Sequence, residues 1–294
     1  MKTKTKKKLN NKQIFGILAI AILAAVILLV IGRNRAEPEN EYDPYAGQVE
    51  VYNGAKNVWI VPEAGVPVNT LSAEDFVTDE NGEPQYIGSE YRTLRGIDVS
   101  RYQNKIDWQT VADSGIDFAI IRAGIRGYGS EGTLAEDTRF VENLENAQAA
   151  GLKVGAYFFS QAITPEEAKA EAELALSMLE GHKLQLPVFF DWERIALEPD
   201  ARTNGLGQDM LTECAVAFCE TIENGGYDAG IYFNLDTSYY GYEMSRLTDY
   251  DFWCASPGDY PYCYYAHSIW QYSFNGKVAG IDATCDMNMM FVKK

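Results

Sequence analysis

Between residues 95 and 294 the apolar positions gather into runs of strand length: GIDVS (96–100), DFAIIRAG (117–124), KVGAYFFS (153–160), LPVFFDWE (186–193), AGIYFN (229–234), DFWCAS (251–256) and SIWQYS (268–273). The stretches between the earlier runs repeat apolar residues at helical spacing, over 107–114, 138–150, 164–180 and 208–224. Thr164, followed by Pro165 and with Glu167 at the third place, reads as a capping box with proline at the first helical position. Buried strands separated by helices predict a parallel sheet covered by helices. The later runs follow one another too closely for helices between them. The expected fold class is therefore α/β, a TIM-like (β/α) barrel with reduced helices rather than an open doubly wound sheet.

The N-terminal part has a different pattern. Six lysines and no acid precede Ile14, and the nineteen residues from there to Gly32 carry no charge. A helix needs about 20 apolar residues to cross a bilayer core. The small residues Ala24 and Ala25 lie inside this run rather than at its end, which favours an uncleaved signal anchor over a removable leader. The lysines place residues 1–13 in the cytoplasm, the single span 14–32 in the cell membrane, and the remainder on the extracytoplasmic face. Residues 33–94 read as an extracellular tether followed by a small appendage. AEPENEYDPYA (36–46) lacks periodicity, VEVY (49–52) and VWIVP (58–62) have strand character, and DENGEP (79–84) is a turn. Residues 95–294 form the barrel domain, expected to be monomeric.

Charge narrows the partners. The net charge is −17, and 17 basic residues against 42 acidic ones leave −25 beyond Arg35. Such a surface repels nucleic acid. Nineteen Tyr and five Trp supply flat faces suited to sugars. The five cysteines form no even framework and read as small apolar residues, with a Cys254–Cys263 bridge as an option in an oxidising setting. Neither His182 nor His267 is read as part of a cysteine or acidic cluster of ligand spacing, so no metal site and no cofactor are expected.

The chemistry gathers at strand ends, where barrels of this kind carry their reactive groups. LPVFFDWE closes in Asp191 and Glu193, two apart and therefore on one face of the strand. Buried carboxylates are costly unless they are paired or have a task. The structural alternative is an ion pair with Arg194 or Arg122. Asp98 ends the first run, and Asp282 and Asp286 lie in the last, GIDATCDMN. First and last strands are neighbours in a closed barrel, which brings these acids towards the pair. Like charges in one pocket raise at least one pKa and set a proton donor beside an ionised partner, the division of labour that glycoside hydrolysis requires.

GIDVSRYQ, IIRAG, GAYFFS, PVFFDWE, GIYFN, IWQYS and CDMN, in that order over residues 95–294, resemble the muramidase-type lysozymes of glycoside hydrolase family 25. The resemblance implies an eight-stranded barrel with reduced helices. It further implies hydrolysis of the β-1,4 bond between N-acetylmuramic acid and N-acetylglucosamine in the bacterial peptidoglycan glycan strand. Glu193 matches the proton donor and Asp191 its charge-stabilising or acetamido-orienting partner. Asp98 and Asp286 match supporting acids, although Cys285 stands where a valine is common and Asp282 competes nearby. Arg122, Tyr157, Tyr232, Trp270 and Gln271 are the candidate substrate contacts, whereas Trp108 and Trp192 are left to the core. The tyrosine tract Tyr239, Tyr240, Tyr242, Tyr260, Tyr262, Tyr264 and Tyr265 lines either an extended cleft or a structural loop. Two rival readings stand beside this one, a glycan-binding module without turnover and a metal-dependent phosphodiesterase on a similar barrel.

Overall fold

Alternation of side chains decides which residues fill the barrel and which face its helices. The computed structural model describes residues 45–195 and 197–294. The expected basic segment 1–13 and span 14–32 lie outside the described residues. Among the described residues no helix is long and apolar enough to cross a membrane.

The barrel strands are β5 (Tyr91–Val99), β6 (Phe118–Arg126), β8 (Lys153–Ser160), β9 (Val188–Trp192), β10 (Ala229–Asn234), β11 (Asp251–Ala255), β12 (Ile269–Gly276) and β13 (Cys285–Lys293). They pair in the order β6, β8, β9, β10, β11, β12, β13, and β5 closes the ring between β13 and β6. A short strand, β7 (Leu134–Glu136), pairs with the last residues of β6. Seven strands are mutually parallel, while β13 runs antiparallel to both β12 and β5. That reversal accounts for the lack of a helix between β12 and β13. An antiparallel neighbour is reached by a short loop, whereas a parallel one needs a crossover of a dozen or more residues.

The helices are α1 (Trp108–Asp113), α2 (Phe140–Ala149), α3 (Pro165–Met178), α4 (Gln208–Asn224) and α5 (Leu235–Tyr240). Thr164 caps α3 through the Glu167 amide at 3.3 Å. The reciprocal half of the expected capping box is displaced by one residue. Glu167 accepts from the amide of Ile163 at 3.0 Å and pairs with Arg202 at 2.6 Å.

Two apolar layers follow from the period of two. Phe118, Tyr157, Phe189, Tyr232 and Trp253 fill the barrel, and Phe158, Phe190, Trp192 and Phe218 pack between strands and helices. Gly96 and Gly230 face the interior opposite Phe118 and Phe189, where a β-carbon would overlap those rings. The small residues make room for the large fillers.

The segment before the barrel holds two hairpins, β1 (Val49–Tyr52) with β2 (Asn57–Ile60) and β3 (Phe76–Thr78) with β4 (Pro84–Tyr86). It contributes too few buried apolar residues for a core of its own. Phe76 packs edge-on against Trp270 at 5.5 Å and Phe291 at 6.2 Å, and Glu83 binds Arg95 through both carboxylate oxygens at 2.7 and 2.9 Å. Residues Gly47–Lys294 accordingly form one compact unit.

All five cysteines are free and buried. The fold corrects one expectation about them. A ring nitrogen of His267 and the sulfurs of Cys254 and Cys263 lie within 4.8 Å of one another, where Cys263 and His267, four residues apart between β11 and β12, fold back on Cys254 of β11. Burial lowers the His267 pKa to about 4, which keeps its ring neutral.

Candidate active site

Four carboxylates meet at one mouth of the barrel. Asp98 sits one residue before the end of β5, Asp191 one before the end of β9, and Glu193 is the first residue beyond β9. Asp286 belongs to the start of β13, not to a strand end. Because β13 is antiparallel, its first residues share the rim with the last residues of the other strands, and Asp286 stands directly opposite Asp98 in register. Asp282 is exposed in the turn before β13.

These acids line a cavity of about 260 Å³ together with Arg122, Tyr157, Tyr232 and Gln271. Gln271 links several of them. Its amide donates to Asp98 Oδ2 at 2.8 Å and to Asp286 Oδ2 at 3.3 Å, while its carbonyl accepts from the Tyr232 hydroxyl at 2.9 Å. Asn288 donates a second bond to Asp98 Oδ2 at 2.8 Å and accepts from the Trp253 indole at 2.8 Å. The indole packs edge-on against Tyr232 at 4.8 Å and Tyr157 at 6.0 Å, so the floor is aromatic. The main chain of Glu193 is held by Gln161, which donates to its carbonyl at 2.9 Å and accepts from Thr203 at 3.0 Å.

Neither arginine considered as a partner for the acid pair is ion-paired to it. Arg122 binds Asp137 at 2.8 Å beneath the ring of Tyr102, and Arg194 binds Asp236 at 3.2 Å. Desolvation therefore dominates the electrostatics. Burial and the charge of Asp286 push Asp98 up to about 8 despite its two amide donors. Burial raises Asp286 to about 6. Asp191 is raised well above the ordinary carboxylate range, first by burial and then by Glu193 and Asp98. Glu193 is raised by burial and then by Asp286. Asp191 Oδ1 is buried without a hydrogen-bond partner.

Trp270, expected among the substrate contacts, is not at this mouth. It lies on the outer face of β12, fully buried, its indole donating to the Ser256 carbonyl at 2.9 Å. The alternation that turns Gln271 inward turns Trp270 outward. Sequence reasoning missed Trp253, Asn288 and Tyr102. Trp253 was accessible from the alternation in DFWCAS once the facing of that strand was known. Asn288 closes the CDMN run, and Tyr102 stands in GIDVSRYQ.

Residues 97–281 match the family described as glycosyl hydrolases family 25. The chain belongs to that family. The autolytic lysozyme of Clostridium acetobutylicum is 27% identical over 197 residues, which cover 66% of this chain and 55% of that protein. The chain thus spans little more than half the length of that relative. Lysozyme M1 of Streptomyces globisporus is 29% identical over 206 residues, covering 66% and 67% of the two chains. A solved family 25 glycosyl hydrolase from Bacillus anthracis superposes with a TM-score of 0.57 at 25% identity, covering 69% of this chain and 91% of that one.

The position of Asp286 in this glycosyl hydrolase has a testable consequence. Above about pH 6 its charge helps to keep the proton on Glu193. Asp286→Asn should lower turnover by roughly tenfold and move the alkaline limb of the pH–activity profile to lower pH. Asp282→Asn, at the exposed turn, should leave both unchanged. The reverse order in paired pH–rate profiles would transfer the role to Asp282.

Proposed function

We propose that the chain hydrolyses the β-1,4 bond between N-acetylmuramic acid and N-acetylglucosamine in peptidoglycan, with Glu193 as proton donor and Asp191 as its partner. The observation that carries this reading is the absence of an ion-pairing cation among the described residues at Asp191 and Glu193, although both are withdrawn from water at a strand end. A structural acid pair at such burial needs a counter-charge. A catalytic pair receives one from the transition state, in which positive charge develops on the sugar ring.

Glu193 is less enclosed than Asp191 and retains its proton because burial and Asp286 raise its pKa. In this reading it protonates the departing oxygen. Asp191 lines the cavity, where a donor such as an acetamido N–H favours its ionised form. Asp98 is held in place by Gln271 and Asn288, and Asp286, ionised above about pH 6, supplies negative charge to the cleft. Tyr157, Tyr232 and Trp253 form its floor.

The phosphodiesterase reading is disfavoured by donor geometry. Among the described residues the one group of three donors gathered within 4.8 Å is Cys254, Cys263 and His267, so no three of the cleft acids are gathered in this way. Arg122, the basic side chain of the cavity, is committed to Asp137. Mass spectrometry of fragments released from purified peptidoglycan tests the proposal. Muramic acid at the new reducing ends is the expected result, and glucosamine there, free peptides or no fragments would refute it.

The uncharged run 14–32 behind six lysines supports a second element of the proposal, a single membrane anchor with the hydrolase on the outer face. The full chain should sediment with membranes, and protease added to intact protoplasts should release the hydrolase. A soluble mature form beginning near Ala36 would show a cleaved leader instead.

A further inference from the structure

Beyond the catalytic cavity the mouth of the barrel opens into a second groove of about 530 Å³, twice the size of the first. The two adjoin each other, and Glu193 and Tyr232 line both. The groove has an apolar floor at Leu235 and Pro257, flanked by Tyr262 and Phe274. Its outer wall comes from the β1–β2 turn, Tyr52, Asn53 and Gly54. That turn lies outside residues 97–281, the part of the chain that matches the family.

The turn is built to hold its shape. The Asn53 side chain accepts from the amides of Ala55 and Lys56 at 3.1 and 3.0 Å, and the Tyr52 hydroxyl donates to the Gly54 carbonyl at 2.9 Å. Val51 and Ile60 anchor the hairpin by burial. Tyr52 meets Tyr262 edge-on at 5.8 Å, which fixes the turn against the barrel's own loop. Across the groove Phe274 on β12 is 48% exposed, which leaves its aromatic side chain available to a ligand.

We propose that the β1–β2 turn and Phe274 form a binding site for the glycan strand where it continues past the cleaved bond on the Glu193 side. Sugar rings present apolar C–H faces that suit Tyr52, Tyr262 and Phe274. Because the groove shares Glu193 and Tyr232 with the catalytic cavity, its occupant is an extension of the substrate there, not a separate partner. The enzyme therefore selects strands long enough to fill both spaces. Of the tyrosine tract considered from sequence, Tyr262 serves this groove, whereas Tyr242 and Tyr265 are buried in the core.

The proposal rests on the hydrolase reading, and binding separates the two. Peptide-free peptidoglycan glycan fragments of two, four, six and eight sugars would be titrated calorimetrically into the full chain carrying Asp191→Asn, which prevents cleavage during the measurement. Affinity should rise with length beyond four sugars. Adding Tyr52→Ala or Phe274→Ala should weaken binding of the long fragments by roughly two- to tenfold each and leave that of the shortest unchanged. Phe274 is half exposed, so its truncation reports on the site even where Tyr52→Ala loosens the hairpin. Equal affinities in parent and variants at every length, an equal loss at every length, or no binding at all would overturn the site. Turnover of the unsubstituted chain is read separately. Length-dependent binding without released fragments would sink the hydrolase reading and leave this site standing.

Discussion

Glu193→Gln should leave the fold intact and reduce turnover on purified peptidoglycan by on the order of 10²- to 10⁴-fold, the usual worth of a general acid. Glutamine keeps the size of the side chain and cannot deliver a proton. The Gln161 bond to the residue 193 carbonyl is a main-chain contact and survives the change. The pH profile supplies a sharper readout than the rate. Glu193 must be protonated to act, so activity falls as pH rises through its folded-state pKa. Burial and Asp286 hold that pKa above the ordinary carboxylate value, and the alkaline limb should sit correspondingly high. In Glu193→Gln that limb should vanish from the residual activity. Near-native turnover in the variant, or an unchanged alkaline limb, would remove Glu193 from the donor role.

Asp191→Asn should be comparably damaging to turnover, by roughly 10²- to 10³-fold, because it deletes the negative charge that faces the transition state in a dry cleft. The double variant should lose less than the product of the two single losses, since both residues act on one transition state. Stability should move the other way. The Asp191 pKa is raised on folding, so its contribution favours the folded state below the unfolded value near 3.8 and is lost as pH rises through the folded one. Replacing it removes a buried charge that costs stability at neutral pH. The variant should therefore melt higher than the parent at pH 8, by roughly 2–4 °C for each kcal/mol released, and the advantage should shrink towards pH 4. A structural ion-pair role predicts the opposite, a variant that melts lower at neutral pH. Calorimetric melting of both proteins at the two pH values separates the readings.

A stabilised but inactive Asp191→Asn fits the rest of the cleft. Asp98, Asp191, Glu193 and Asp286 all have raised pKa values, and desolvation is the leading cause for each. A mouth lined in this way is a liability for folding that the surrounding layers offset. Phe118, Phe189 and Trp253 are buried below it, and the amide bonds of Gln271 and Asn288 hold Asp98 and Asp286 in place.

Local patterns in the chain determined the elements and the leading chemistry. The strand-length runs became barrel strands, 208–224 became α4 with the expected bounds, and the D-x-E spacing placed Asp191 and Glu193 towards one face. These features depend on neighbours a few residues apart, which share a helix turn or a pleat whatever the rest of the molecule does. Tertiary structure decided the rest. Asp286, rather than Asp282, entered the cleft because the reversed β13 set it opposite Asp98. Trp253 turned inward and Trp270 outward through the facing of β11 and β12, a property of barrel closure that no single strand encodes. Residues 47–94 looked like a separate appendage because their few apolar side chains cannot close a core. Phe76 finds its burial against a barrel assembled from residues far along the chain, and the hairpin that reaches the mouth meets it through Tyr52 and Tyr262, a contact that chain spacing alone does not reveal.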